Sequence, residues 1–471
     1  MRLLVPSIWI YSTTISLAAA IEIDWSSESS IKEGAATIAY GLMKYYTGNN
    51  TGDTPGNLPD PYYWWEAGAV FGTMVDYWHY TGDASYVDVT FQAMQHQVGN
   101  DKDFMPENQT MTLGNDDQGF WAMAAMTAAE VNFKNPTDDT GAQWLALAQA
   151  AFNEWTFRWD TDHCEGGLRW QIFTFNNGYR YKNSISNGCF FNLAGRLARY
   201  TGNTTYADWA DKIYDWMTLR KYIDEDYNIF DGAHYVDGDP TENCTKVDRV
   251  QWTYNAGIFL HGAAAMYNFT NGSSKWEERT RGIVNRTAEY FFDDSVMYEP
   301  PCEPNSGCKT DALSFKAYLA RWMASAIQLA SFTYDTLGPL LLASAKGAAL
   351  QCAGSDGGYK GHPGTACGMK WTEGANWDGS NGVGQQMAAL SAVMYSQVRN
   401  FRVVAPVTAD TGGTSVGNPT AGHPVDDSSL RPMSPITTGS RVAAAFLTIF
   451  VLAGVIGGSA FMIMDDFKFS A

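Results

Sequence analysis

Basic side chains are scarce in this sequence. Among 471 residues, 31 Lys and Arg stand against 50 Asp and Glu, a formal net charge of −19. A nucleic-acid partner needs a basic surface to displace counterions from phosphate, so that class is excluded. Charge of either sign is thin, at 17%. Histidine is rarer still: seven scattered residues form no cluster, and no Cys-x-x-C occurs. Metal-ligand spacing is thus missing, and neither a metal nor another cofactor is expected. What fills the polar surface is neutral. An apolar fraction of 45% allows a substantial core and excludes wholesale disorder. Aromatic residues reach 14%, with 17 Trp and 25 Tyr beside abundant Gly and Asn. That composition suits a neutral, ring-shaped ligand, and carbohydrate is the first class it points to.

The two ends read as addresses. Met1-Arg2, an apolar run and Ala18-Ala19-Ala20 form a secretory signal peptide over residues 1–20. Seven N-x-S/T sequons follow, at Asn49, Asn108, Asn203, Asn243, Asn268, Asn271 and Asn285, in keeping with secretion. Seven cysteines fit an oxidising compartment and leave one thiol over. Cys302 and Cys308 flank one short loop and Cys352 and Cys367 flank another, so both are expected as local bridges. Cys164, Cys189 and Cys244 then compete for one pairing. From residue 403 to 441 the chain becomes a Pro/Thr/Gly/Ser-rich linker. Small residues near 426–429, a spacer from Leu430 to Arg441 and an apolar run from Val442 to Met464 resemble a GPI-attachment signal. Its tail, residues 442–471, would be removed on attachment. The competing reading is a permanent transmembrane helix ending in the polar Asp465–Ala471.

Residues 21–402 form the expected single catalytic domain. Helical periodicity there predicts twelve helices: 26–46, 63–80, 84–98, 116–132, 141–156, 186–200, 204–219, 248–268, 273–292, 311–330, 338–351 and 382–400. Connections after even-numbered helices are brief. Tyr80-Thr81-Gly82-Asp83 and Tyr200-Thr201-Gly202-Asn203 are near copies, in which Gly ends one helix and Asp or Asn caps the next. Connections after odd-numbered helices are long and crowded with Gly, Trp, Tyr and Asn. Successive helices are antiparallel, so every long loop falls on one rim. The expected fold is all-α, an (α/α)6 toroid of six helical hairpins, with an open superhelix of helix pairs as the alternative. Helices entered from the long loops present their N-terminal dipoles to the decorated rim, where chemistry is to be sought.

Five Asp-Asp pairs occur, at 116–117, 138–139, 293–294, 426–427 and 465–466. Only Asp116-Asp117 opens a helix at the decorated rim. Capping alone would need one carboxylate, and a second adjacent one adds repulsion that separates the two titrations. Glycosidic cleavage uses such a pair, one ionised and one able to donate a proton. Neighbours on a helix point about 100° apart, compatible with a retaining spacing of ~5–5.5 Å. An inverting pair would instead recruit Glu66, Asp231, Asp311 or Asp378. Trp64, Trp65, Trp170, Trp252, Trp371 and Trp377 could stack on sugar rings or simply pack the toroid, and Gln171, Asn183, Asn187, Asn255 and Asp378 could bind hydroxyls. Glu66, Lys182 and Tyr254 complete the expected substrate contacts.

These residues sit in recognisable motifs. Asn115-Asp116-Asp117-Gln118, Tyr63-Trp64-Trp65-Glu66-Ala67-Gly68 and Gly166-Gly167-Leu168-Arg169-Trp170-Gln171 resemble glycoside hydrolase family 76. So do Gln251-Trp252-Thr253-Tyr254-Asn255 and Glu373-Gly374-Ala375-Asn376-Trp377-Asp378. With the signal peptide and the GPI-like tail, the nearest match is the fungal cell-wall branch of mannan endo-1,6-α-mannosidases. The resemblance covers about residues 25–400. It implies cleavage of α-1,6-mannosyl linkages with retention, Asp116 as nucleophile and Asp117 as general acid/base. It also implies α-mannan or the mannose-containing GPI glycan as substrate, wall glucan as a possible acceptor, and a lipid-anchored location on the outer face of the plasma membrane or in the wall. A wall-anchored mannan-binding lectin is the second reading. A polysaccharide lyase is the third, poorly supplied here with a base and cationic groups.

Overall fold

The structure, a computed structural model, describes residues 20–109, 112–137, 141–355, 358–399, 404–422 and 438–468. Residues 1–19 of the expected leader, the Asp138-Asp139 pair and the region near 426–429 lie outside these. Helices form where the periodicity predicts them: α1 (Glu28–Met43), α2 (Trp64–Thr81), α3 (Val87–His96), α4 (Asn115–Glu130), α5 (Trp144–Arg158) and α6 (Ser184–Thr201). The series continues with α7 (Thr204–Leu219), α8 (Thr253–Phe269), α9 (Ser274–Tyr290), α10 (Phe315–Leu329), α11 (Tyr334–Gln351) and α12 (Val383–Tyr395).

The six even-numbered helices pack each against the next, and α12 returns to α2. This closes an inner ring and excludes the open superhelix. The odd-numbered helices pack outside it, with α1 against α12. The residues explain the sorting. In α9 the buried positions are Trp276, Thr280, Ile283, Val284 and Thr287, a single stripe suited to an outer helix. In α4 every residue from Gln118 to Glu130 is buried, as an inner helix requires. Small residues let the inner helices approach: a Cβ at Gly68 of α2 would stand 2.8 Å from the Trp121 ring of α4. Gly82 and Gly202 end α2 and α6 in the left-handed conformation, with φ of 77° and 72°. Hairpin reversal there depends on the missing side chain.

Two features differ from the sequence expectation. First, the long loops hold a three-stranded antiparallel sheet: β1 (Tyr181–Asn183), β2 (Gly232–Val236) and β3 (Asp239–Asp248), in that order. Asp248, expected to open a helix, closes β3 instead, and α8 begins at Thr253. Second, part of the segment with linker composition is fixed. Residues 404–422 run across the short-turn end of the ring. The Val407 N–H donates to the Glu130 carbonyl (2.8 Å), and the Asn132 amide donates to the Gly412 carbonyl (2.9 Å). The Ser415 hydroxyl accepts the Leu145 N–H (3.0 Å). That N–H belongs to the first turn of α5 and has no partner within its helix.

Three disulfides form, Cys164–Cys244, Cys302–Cys308 and Cys352–Cys367, leaving Cys189 as a buried free thiol. The long-range Cys164–Cys244 bridge ties the loop after α5 to β3. A final helix, α13 (Thr438–Lys468), includes the stretch Arg441–Ser459 with mean hydropathy 2.2, long and apolar enough to cross a membrane.

Candidate active site

The first turn of α4 places two adjacent carboxyls at the decorated rim. Gly114 precedes the helix, and its N–H donates to Asp117 Oδ2 (2.6 Å), while the Asp117 N–H donates to Asp116 Oδ1 (3.2 Å). The Asn183 amide at the start of α6 also hydrogen-bonds Asp116. Both carboxyls lean over Gly114. A Cβ there would meet Asp116 Oδ1 at 2.6 Å and Asp117 Oδ2 at 3.1 Å. These two oxygens are therefore less than about 6 Å apart, closer than the carboxyls of an inverting pair stand.

The flanking Asn115 and Gln118 explain how two like charges are held together. Asn115 donates from its backbone to the Trp170 carbonyl (2.9 Å) and from its amide to the Arg169 carbonyl (2.9 Å). Arg158, at the end of α5, donates to Asn115 Oδ1 (2.8 Å) and Gln118 Oε1 (2.7 Å) and pairs with Glu154. Gln118 in turn donates to the Asp103 carbonyl (2.8 Å) and to Glu154 (2.9 Å). The turn is thereby clamped to α5 and to the two neighbouring long loops. Burial and the Glu154 charge push the Asp103 carboxyl up to about 8, despite the opposing pull of Arg158.

The electrostatics of the pair follow from burial and proximity. Burial raises Asp116 well above the carboxylate range, and the Asp117 charge raises it further, against hydrogen bonds that pull it down. Asp117 is raised to about 6, again chiefly by burial; the Gly114 N–H opposes this and Asp311 adds to it. The pair holds a proton near neutrality, and the two steps belong to both residues together. The Cys189 thiol lies beneath them, raised by burial and by their charge.

A cavity of about 610 Å³ opens above the pair. It is lined by Tyr63, Trp64, Trp65, Phe120, Trp170, Gln171, Tyr181, Asn183, Tyr254 and Phe315, and by Asp231 and Asp311. None of its described lining residues is Lys or Arg. Asp231 accepts the Tyr181 hydroxyl (2.6 Å), and Trp252 and Asn255 lie against it. Asp311 accepts a hydrogen bond from Trp65. The Tyr254 and Phe315 rings stack at 3.8 Å and 6°, making a flat apolar wall.

Of the residues expected from sequence, Trp64, Trp65, Trp170, Gln171, Asn183 and Tyr254 thus join the pair at the cavity, as do Asp231 and Asp311 of the candidates for an inverting pair. Others do not reach it. Glu66 caps α2 through the Tyr63 N–H (3.1 Å), and its burial lifts it to about 8. Lys182 is fully buried, donating to the carbonyls of Asp160, His163 and Gly166 and pairing with Asp160 (3.0 Å). Asn187 is buried as well and exchanges two hydrogen bonds with the Leu168 backbone. Trp252 packs edge-on against Phe315 and Asn255 is buried behind Asp231, one layer back from the cavity lining. Trp377 bonds the Ser380 carbonyl, and Asp378 gathers the N–H groups of Met369, Lys370 and Ser380. Trp371 is buried core. Each of these shapes a loop that polar or aromatic composition alone makes look like a binding surface. Conversely Tyr63, Gln109, Thr112, Tyr181 and Phe315 line the cavity without having been singled out. Phe315 opens an inner helix at the rim, the signal that marked the others.

A closed ring of helical hairpins with paired carboxyls at an inner-helix N-terminus is the frame of a toroidal glycosidase. Residues 30–410 match glycosyl hydrolase family 76, and the chain belongs to that family. It is 46% identical over 434 residues to the mannan endo-1,6-α-mannosidase DCW1 of Saccharomyces cerevisiae, covering 92% of this chain and 93% of that one. To the mannan endo-1,6-α-mannosidase DFG5 of the same yeast it is 42% identical, covering 94% of each. The crystal structure of Dfg5 from Chaetomium thermophilum in complex with glucosamine superposes with a TM-score of 0.79 at 44% identity, covering 87% of this chain and 99% of that one. The α-1,6-mannanase GH76A of Salegentibacter shares the fold, with a TM-score of 0.59 at 20% identity over 80% of this chain and 99% of that one.

Two outcomes follow from this geometry. Gly114 has φ −93° and ψ 166°, which alanine adopts freely, so Gly114→Ala should fold while its methyl group presses on both carboxyls and, at 3.1 Å, on the Trp170 carbonyl. Turnover should fall about 100-fold with the melting temperature nearly unchanged, as steady-state kinetics and thermal unfolding would measure. With one carboxyl ionised and the other protonated as the expected working form, wild-type activity should show two limbs. It should rise with pH through a midpoint near 6, where the pair loses its first proton, and fall as the second leaves at higher pH. An acid limb near pH 4 would show two ordinary, uncoupled aspartates.

Proposed function

We propose that this protein cleaves α-1,6-mannosyl linkages with retention of configuration and passes the glycosyl group to water or to a sugar hydroxyl. The observation that carries the reading is the convergence of Asp116 and Asp117 over Gly114 at the floor of an aromatic-lined cavity. In the first step Asp116 attacks the anomeric carbon. The glycosidic C–O bond breaks, and Asp117 gives its proton to the leaving oxygen. In the second, the Asp117 carboxylate takes a proton from the incoming hydroxyl, whose oxygen attacks the anomeric carbon and releases Asp116.

Burial and mutual repulsion keep one proton on the pair, and it belongs to both carboxyls together. The proposed roles therefore require bound substrate to draw the shared proton onto Asp117, where the leaving oxygen receives it. α-Mannan and the mannose-containing GPI glycan are the substrates we favour, with wall glucan as acceptor for transfer. Support for the GPI glycan comes from the glucosamine-bound relative together with a cavity that offers four aspartates and, among its described residues, no cation. An amino sugar beside mannose suits that charge. The apolar α13 stretch supports attachment at the outer face of the plasma membrane through a GPI anchor.

Incubation with a 2-fluoro-mannosyl donor bearing a good leaving group, followed by peptide mapping, should place the label on Asp116. A label on Asp117 reverses the roles, and turnover without any label overturns the covalent mechanism. Asp116→Asn should lower turnover about 1,000-fold or more; a lectin would keep its function. For the anchor, a phosphatidylinositol-specific phospholipase should release the protein from membranes of the cells that make it. Retention there would favour a permanent transmembrane helix.

A further inference from the structure

Beyond the cavity mouth the chain forms a lip, residues 171–179, that the catalytic steps do not use. It starts at Gln171, which lines the cavity, and carries Phe173 and Phe175 outward with their rings parallel (13°) and 5.5 Å apart. Phe175 is 44% exposed, and Trp170 at the mouth is 37% exposed. Exposed aromatic rings on a mobile loop would mean little, but this lip is pinned. The Asn176 amide donates to Gln171 Oε1 (3.1 Å), and its backbone N–H donates to the Phe173 carbonyl (3.1 Å). Trp170 N–H donates to the Tyr181 carbonyl (2.7 Å), and Tyr181 N–H to the Gly178 carbonyl (2.9 Å). Gly178, at φ 92°, lies on the Trp170 ring so closely that a Cβ would stand 2.3 Å from it. The backbone of the lip is thus fixed beside the cavity mouth, and Phe175 rests against the Phe173 ring.

Its chemistry differs from that of the interior. The cavity is acidic, whereas Gln171-Ile172-Phe173-Thr174-Phe175-Asn176-Asn177-Gly178-Tyr179 contains no charge. Apolar ring faces beside neutral amides and a hydroxyl match the two sides of an uncharged pyranose: axial C–H groups on one, hydroxyls on the other. The lip is continuous with the cavity through Trp170 and Gln171, both of which line it.

We propose that this lip is a distal saccharide subsite, in which Phe175, backed by Phe173, stacks on an uncharged sugar residue of the same glycan chain that occupies the cavity. The inference rests on the mannosyl reading above and deepens it: it makes affinity depend on chain length. The test uses the full-length chain carrying Asp117→Asn to stop turnover, with α-1,6-linked mannobiose, mannotetraose and mannohexaose measured by calorimetry. The parent should bind more tightly as the chain lengthens. Adding Phe175→Ala should weaken the longest ligand about three- to tenfold and leave mannobiose unchanged. Phe175→Trp should preserve the gain, and thermal unfolding should show all variants folded. A Phe173→Ala/Phe175→Ala chain that follows the parent's length dependence overturns the subsite alone. A parent that binds none of the three ligands overturns the mannosyl reading, and the subsite with it. Unchanged length dependence, but loss of transfer to an added glucan oligosaccharide in the otherwise active enzyme, would assign the lip to the acceptor and contradict the proposal as stated.

Discussion

The site depends on keeping two carboxyls side by side at the start of one helix against their mutual repulsion. The N-terminal dipole of α4, the Gly114 N–H and the Asn183 amide all favour negative charge there, while burial opposes it. Neither influence alone would serve. Hydrogen bonds without burial would leave two ordinary aspartates, both ionised at neutral pH. Burial without hydrogen bonds would leave both protonated. Their balance retains a proton on the pair, and the Asn115–Arg158–Gln118 clamp prevents the turn from relaxing to relieve the strain of like charges.

The toroid makes that balance possible by sending every inner helix toward the same rim with its N-terminus foremost. The N-terminal regions of α2, α4, α6, α8 and α10 supply Trp64 and Trp65, the Asp pair, Asn183, Tyr254 and Phe315 to one cavity. The opposite end bears little chemistry. It is closed by short turns and by residues 404–422, which cover the ends of α4 and α5. Inside the ring, the buried pairs Arg196–Glu130 (2.6 Å) and Arg321–Asp76 (2.8 Å) lie below Phe120, away from the Asp116–Asp117 floor. Losing one partner of such a pair would leave a buried charge unmatched, so these contacts constrain how the inner helices meet.

The helices were legible because amphipathic and all-apolar patterns differ so clearly in stripes such as those of α9 and α4. The Asp116-Asp117 pair was legible because of where it falls, at a rim-facing helix start, rather than because paired aspartates are rare in this chain. Distinguishing the cavity lining from its scaffolding was harder. Asn183 and Asn187 lie one turn apart at the start of α6, yet one reaches Asp116 and the other is consumed by the Leu168 backbone. Lys182 looked like a ligand contact, but on β1 the pleat turns it away from the cavity and under the 160–166 loop. That alternation depends on strand pairing with β2, between segments about fifty residues apart, which no local pattern reveals. The same limit hid the role of 404–422, whose Pro, Thr and Gly content matches a free linker while its hydrogen bonds lie on distant helices.

The central claim is that Asp116 and Asp117 form a retaining pair, with one carboxyl attacking carbon and the other moving the proton. Proton NMR of the first product released from an α-1,6-mannooligosaccharide, recorded before mutarotation, reads this directly. The account predicts that the new reducing end appears as the α-anomer. Initial release of the β-anomer would mean single displacement by water, placing the base outside the pair and contradicting the account.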